Sequence, residues 1–250
     1  MDIVTLVYKP IAAGPFPVLV FSHGRAGEAS DRAKPEAPSN NTIEYWLRKG
    51  FAVVAPVRIG YGQTGGPDLE DSGTKFKSGV CTTTSPDFDK VATNAAKSVT
   101  TFLDWLHKQD WADNNKIMLE GQSVGGLTTV KLGSLNLPGV LGYVNFAGGS
   151  GGNPISSPAK SCHPELLTET YRRLGTQTHV PSIWFYAEND LYWGPDMPVA
   201  WHAAFAAGGS QTQLVHTGPV EGRNGHFLLN YGQKMWVEPL DNFVRSLGFK

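Results

Sequence analysis

The sequence predicts an α/β domain, with a mostly parallel central sheet and helices on both of its faces. Three observations predict it. Short apolar runs, β-branched or aromatic, recur along the chain and read as strands buried on both faces. Segments with apolar residues three and four apart fall between those runs and read as helices. The 250 residues include 29 Gly and 17 Pro, which implies many tight turns. Strand and helix alternating through a chain make a parallel sheet, and ligands of such sheets bind off the carboxyl ends of the strands.

Taken in order, an apolar stretch within residues 1–8 reads as a first strand. Residues 17–22, 51–56, 116–120, 141–146, 182–186 and 213–216 supply six more. A short helix is expected over 41–49. The clearest helix starts at Ser85-Pro86-Asp87, where a Ser cap, a first-turn Pro and the anions Asp87 and Asp89 suit exposed N–H groups. Its apolar stripe is Val91, Ala95, Val99, Phe102 and Leu106. Further helices are expected over 124–132, 164–174 and 197–207. The last helix carries Trp236, Leu240, Phe243, Val244 and Leu247 on one stripe and stops at Gly248. Pro239 lies within that stripe, so the helix begins near it or kinks there.

Composition sets limits on function. Hydrophobic residues make up 40% and charged residues 17%, which excludes a disordered chain. Lys+Arg at 21 against Asp+Glu at 22 gives a net charge of −1, so general attraction to nucleic acid or anionic membranes is not expected. No apolar run approaches the ~18 residues of a membrane-spanning helix. There is no internal repeat, so residues 1–250 read as one domain, with 148–180 as a short insertion over the site. The N-terminus has no basic region ahead of an apolar core, so the chain reads as cytoplasmic by default, or as an exported form that begins after a leader. Two cysteines, Cys81 and Cys162, fall on segments at the carboxyl side of the sheet. A disulfide between them would tether the insertion and point to export.

The chemistry-bearing residues follow from the elements. Gly121-Gln122-Ser123-Val124-Gly125 is a G-x-S-x-G with a strand before it and a helix after it, the context of a nucleophile elbow. Gly148-Gly149-Ser150-Gly151-Gly152 also matches, but Asn153-Pro154 cannot open a helix. A serine needs a base. Of seven histidines, His226 lies in a Gly-rich loop between the last strand and last helix, on the same edge as Ser123. His216 ends the last strand, and His23 reads as a residue that shapes its turn. The loop after residues 182–186 offers Asp190, Asp196 and Glu188 as the acid that orients the imidazole. Asp190 is preferred as nearest the strand, with Asp196 read as a helix cap and Glu188 as a structural partner. A developing oxyanion needs two N–H donors; Val124, after the nucleophile, and Arg25, in the loop after residues 18–21, are expected, with Ala26 as a substitute for Arg25.

These pieces together resemble the α/β-hydrolases, in their dienelactone hydrolase-like branch. The matching residues are Phe21-Ser22-His23-Gly24, Pro56-Val57-Arg58-Ile59-Gly60-Tyr61-Gly62, Gly121 to Gly126, Tyr186-Ala187-Glu188-Asn189-Asp190 and Asn224-Gly225-His226. The resemblance covers residues 17–247 and implies the α/β-hydrolase fold, a Ser–Asp–His triad of Ser123, Asp190 and His226, and a mechanism without metal or cofactor. Dienelactone hydrolases proper carry Cys as nucleophile, and dehalogenases and epoxide hydrolases of this fold carry Asp. Ser123 therefore implies a carboxylesterase-type serine hydrolase acting on small, soluble esters, aromatic ones among them, as a monomer or homodimer. Tyr61, Phe146, Trp193 and Phe227 are expected to line its pocket, and the Arg25 side chain is either a carboxylate binder or, preferably, solvated. The alternatives are a small peptidase and a non-catalytic binding protein on the same fold.

Overall fold

Seven strands form the central sheet of the computed structural model, which describes residues 2–34 and 37–249. The chain opens with β1 (Thr5–Tyr8) and β2 (Phe16–Ser22), then α1 (Ala29–Arg32), α2 (Asn40–Arg48) and β3 (Ala52–Pro56). A small hairpin, β4 (Phe76–Lys77) and β5 (Val80–Cys81), precedes α3 (Phe88–Leu106), β6 (Ala112–Gln122), α4 (Val124–Gly133) and β7 (Val140–Phe146). A second hairpin, β8 (Gly152–Asn153) and β9 (Ser157–Ser161), leads to α5 (Pro164–Gly175) and β10 (Ser182–Ala187). The chain ends with α6 (Asp196–Ala206), β11 (Thr212–Thr217), a 3₁₀ turn over Gly225–Phe227, α7 (Leu228–Tyr231) and α8 (Gln233–Ser246).

The sheet order is β1-β3-β2-β6-β7-β10-β11. Only β1 runs antiparallel; the other pairings are parallel. Residue parity decides the layers. Val18 and Val20 of β2 join the core under α3, α4, α5 and α6, while Leu19 and Phe21 join the core under α2, α7 and α8. β2 is therefore apolar on both faces, and each fully buried Val, Leu or Phe adds roughly 1.5–3 kcal/mol. The chain leaves β2 toward β3 and leaves β6 toward β7, in opposite directions, so a crevice opens between the ends of β2 and β6. Ser22 pairs with Gly121, which levels those two ends.

Several element boundaries differ from expectation. The third helix starts at Phe88 with Asp87 as its cap, not Ser85: the Asp87 carboxylate accepts the Lys90 N–H at 2.8 Å. The predicted stripe of that helix is buried throughout. β6 begins at Ala112 rather than 116. α8 begins at Gln233 and runs through Pro239, which cannot donate to the carbonyl four residues earlier. The segment 148–180 divides into two parts. Its hairpin borders the crevice, but Leu167, Tyr171 and Leu174 of α5 are fully buried in the main core. The β4–β5 hairpin had no counterpart in the sequence reading. No helix among the described residues is long and apolar enough to cross a membrane.

Candidate active site

Ser123 sits between β6 and α4 with φ +58° and ψ −125°, a conformation that costs an ordinary side chain strain. Its neighbours explain how the turn closes. A Cβ on Gly125 would lie 1.9 Å from the Ser22 carbonyl oxygen, and one on Gly121 would lie 2.1 Å from the Gly125 carbonyl oxygen. Only glycine lets α4 start this close to the sheet. The Ser123 N–H donates to the Phe146 carbonyl at 2.9 Å, which fixes the turn against β7. Val124 opens α4, in the first turn where N–H groups lack helical acceptors.

His226 lies on the 3₁₀ turn after β11, and Asp190 in the loop after β10. Asp190 Oδ2 meets His226 Nδ1 at 3.0 Å, and both side chains are buried. The other carboxylate oxygen accepts the backbone N–H groups of Tyr192 at 2.7 Å and Trp193 at 3.2 Å. With Nδ1 engaged by Asp190, Nε2 is the ring nitrogen left to act as a base. The Tyr192 ring stacks on the imidazole at 4.0 Å, and Trp193 and Phe227 approach edge-on. Asn189 laces the two loops together: its amide donates to the carbonyls of Val220 and Arg223 and accepts the Val220 N–H. Gln122, just before Ser123, donates to the His226 carbonyl at 2.9 Å. Elbow and histidine loop are thus joined by a direct bond. The imidazole makes no hydrogen bond to Ser123 among the described residues; such contacts tighten when substrate binds.

Ser123 opens into a cavity of about 440 Å³. One wall carries Ser72, Thr74 and Phe76; the other carries Gly149 to Ile155, with Tyr192 and Trp193 behind. Cys81 and Cys162 are disulfide-bonded, and they join the hairpin of the first wall to the segment of the second. With His163 they are also the only cluster of metal-type ligands among the described residues. The disulfide uses both sulfurs, so neither is a free thiolate.

Arg25 lines the same cavity, but its guanidinium is ion-paired with Asp68 at 2.7 Å and is not a solvated arginine. Beneath it lies a buried network. Arg58 is wholly buried and grips Glu70 through two bonds, of 2.5 and 2.9 Å. It also donates to the carbonyls of His23 at 2.6 Å and Gly24 at 3.2 Å. The His23 pKa lies well below that of an ordinary histidine, first because it is buried and second because Arg58 is adjacent. Sequence reasoning missed this network, although a lone arginine in a glycine-rich turn straight after a buried strand was a signal for it.

The expected pocket aromatics divide. Trp193 lines the cavity, with its indole N–H on the Ala147 carbonyl. Phe227 is 39% exposed beside His226. Tyr61 and Phe146 lie elsewhere. The Tyr61 hydroxyl donates to Glu70 and its ring packs on His23. Phe146 faces the α2–α8 core, stacked on Phe185 at 4.7 Å. The expected cap at Asp196 is also absent: it is the first residue of α6, whose cap position is Pro195, with no side-chain cap bond. Glu188 is exposed, and His216 Nε2 is buried without a partner. Ser150 is buried, with no helix after it. Tyr192, Ser72, Thr74 and Phe76 were not foreseen.

No family model and no curated protein sequence matches the chain. Solved structures do. A candidate dienelactone hydrolase of Klebsiella pneumoniae superposes with a TM-score of 0.64 at 14% identity, covering 99% of this chain and 93% of that one. Est1E of Butyrivibrio proteoclasticus, solved with ferulic acid bound, gives 0.67 at 12% identity, with 98% and 95% covered. The acylaminoacyl peptidase of Pyrococcus horikoshii gives 0.61 at 15% identity; 96% of this chain covers 39% of that longer one. With its mostly parallel seven-stranded sheet, two helical layers and strand–turn–helix around Ser123, the chain has the α/β-hydrolase fold and, within it, is similar to a dienelactone hydrolase-like structure.

Proposed function

We propose that the protein is a serine hydrolase that cleaves small carboxylic esters through an acyl-enzyme. The observation that carries this reading is the buried Asp190–His226 bond, joined through Gln122 to a serine held at φ +58° over a cavity. In this reading, His226 Nε2 takes the Ser123 proton as Oγ attacks the ester carbonyl. Asp190 keeps the Nδ1 proton in place and stabilises the imidazolium. The N–H groups of Val124 and Arg25 receive the oxyanion. His226 then gives its proton to the leaving alcohol, and a water repeats the sequence on the acyl-enzyme.

The cavity supports a small, neutral substrate. Its volume is about 440 Å³, Ser72 and Thr74 are among its lining residues, and Asp68 already neutralises Arg25. A substrate carboxylate would find no unpaired cation there. A fluorophosphonate probe should label Ser123, and p-nitrophenyl esters should be cleaved best with short acyl chains. An unlabelled Ser123 would count for a binding protein. The fold shared with an acylaminoacyl peptidase favours peptide hydrolysis as the second reading; cleavage of anilides at rates equal to or above those of matched esters would establish it.

A further inference from the structure

We infer that Arg58, Glu70 and His23 are positioning residues that aim the Arg25 N–H at the substrate oxyanion by pinning the Gly24 carbonyl. The inference rests on the serine-hydrolase reading above and extends it to groups that touch neither substrate nor Ser123.

The argument begins with the peptide bond. Gly24 C=O and Arg25 N–H belong to one planar trans unit, so they point in opposite directions. Whatever fixes the carbonyl therefore fixes the N–H. Two donors converge on the Gly24 oxygen: His23 Nδ1 at 2.8 Å and Arg58 Nη2 at 3.2 Å. The tautomer of His23 follows from its other nitrogen. Nε2 accepts the Arg58 backbone N–H at 3.2 Å, so the ring proton resides on Nδ1 and is given to Gly24. Arg58 also holds the preceding carbonyl, that of His23, through Nη1. Both carbonyls leading into Arg25 are thus held from the buried side.

The position is right for the chemistry. A Cβ on Gly24 would stand 3.5 Å from the Ser123 Cβ, so this peptide lies against the nucleophile. Arg25 lines the cavity beside Ser123 and Val124, and its backbone N–H has no acceptor among the described residues. The clamp also needs a charge partner. Glu70 takes Arg58 Nε and Nη2, which leaves hydrogens of the fork for the two carbonyls. Tyr61 gives its hydroxyl to the same carboxylate. Glu70 is tied to the cavity through its own N–H, which donates to Asp68, the partner of the Arg25 guanidinium. One short loop therefore holds Arg25 at its side chain and, through Arg58, at its backbone.

The test compares Arg58→Lys, Glu70→Gln and Arg58→Met with the wild type. Lysine keeps the charge for Glu70 but cannot span both carbonyls, so it decides the matter if the Met variant does not fold. We expect kcat to fall about 10²-fold, the scale of one lost oxyanion donor, with KM within about threefold. Affinity for an alkylboronic acid, which forms a tetrahedral adduct on serine, should fall in step with kcat/KM. Folded variants with kcat within about threefold of wild type would overturn the clamp. So would a kcat loss that vanishes well below the variant's melting temperature, because that marks a merely structural role. Wild-type protein that a fluorophosphonate leaves unlabelled would overturn the underlying reading itself. Equal labelling of wild type and variants would overturn the clamp alone.

Discussion

Asp190 holds His226 at 3.0 Å in a setting that excludes water from both side chains, while its second oxygen is fixed by the N–H groups of Tyr192 and Trp193. The carboxylate is therefore rigid before it meets the imidazole. In the proposed mechanism that rigidity selects the tautomer with its free electron pair on Nε2.

Asp190→Asn should lower kcat by about 10⁴ with little change in KM, since an amide can hold the ring in the wrong tautomer. Asp196→Asn should leave kcat unchanged and move stability by no more than about 0.5 kcal/mol, because Asp196 makes no cap bond. Steady-state kinetics of the two variants side by side check the assignment of the acid. A large loss at Asp196 would reverse it.

Ser123→Ala should reduce ester turnover about 10⁶-fold, and His226→Ala should come close to that, because the members of such a unit act together. His216→Ala should be mild. The His216 ring ends in a buried, unpartnered Nε2, so removing it leaves no partner stranded. Matched melting temperatures would show that the first two losses are chemical.

Gly125→Ala should be destructive. Its Cβ would fall 1.9 Å from the Ser22 carbonyl oxygen, so α4 must retreat from the sheet, at a cost of about 4 kcal/mol or more. Gly218→Ala is the matched contrast. It meets nothing within 4 Å, and it should be neutral or stabilise by about 0.5 kcal/mol by restricting the unfolded chain. Chemical denaturation of the two variants separates close approach from glycine content.

Glu120 should give the protein a pH-dependent stability. It faces the α2–α8 side of β6, where Trp46 donates to one oxygen and the other has no partner. Burial pushes its pKa up from 4.5 to about 8, against the smaller opposing effect of the Trp46 bond. Between those values the unfolded chain releases a proton that the folded chain keeps. Stability should therefore fall as pH rises from 4.5 to about 8. Glu120→Gln should flatten that decline and be more stable than wild type at pH 9, by a few kcal/mol at most. A wild-type profile that rises across this window would contradict the sign.

Reducing the Cys81–Cys162 bond should destabilise the fold by about 4 kcal/mol, given the 81 residues it spans. The bond joins the two walls of the cavity, so KM should rise more than kcat falls. Cys81→Ala/Cys162→Ala should behave like the reduced protein. Kinetics with and without a reductant that does not touch Ser123 check both effects.

Much of this was legible in the sequence, for physical reasons that differ by element. The strands announced themselves as apolar runs, and Ser123 through the strand before it and the helix after it. The meeting of Asp190 and His226 was foreseeable from chain order, since their loops must emerge at one sheet edge. Phe146 was misplaced because a strand buried on both faces shows no polar alternation, so parity cannot be read from it. Tyr61 was misplaced because nothing local reveals a buried acceptor at Glu70. The Arg58–Glu70 clamp was hidden for the same reason: charged residues read as surface until a partner is found inside. Ser85 lost the cap to Asp87, two residues on, where a carboxylate stood ready to accept.

The candidate site draws on residues far apart in sequence. The turn at residues 23–25 follows the second strand, and His226 follows the last, about 200 residues later. Contacts so distant in sequence form late, after a large loss of loop entropy. A chain emerging from the ribosome carries Ser123 long before it carries His226, the base of the proposed mechanism. In the proposed mechanism, a fragment cut short before residue 226 should be inert toward esters, however well the turn at Ser123 forms. A circular permutant with new ends in an exposed loop distant from the site would invert that schedule while leaving the geometry alone.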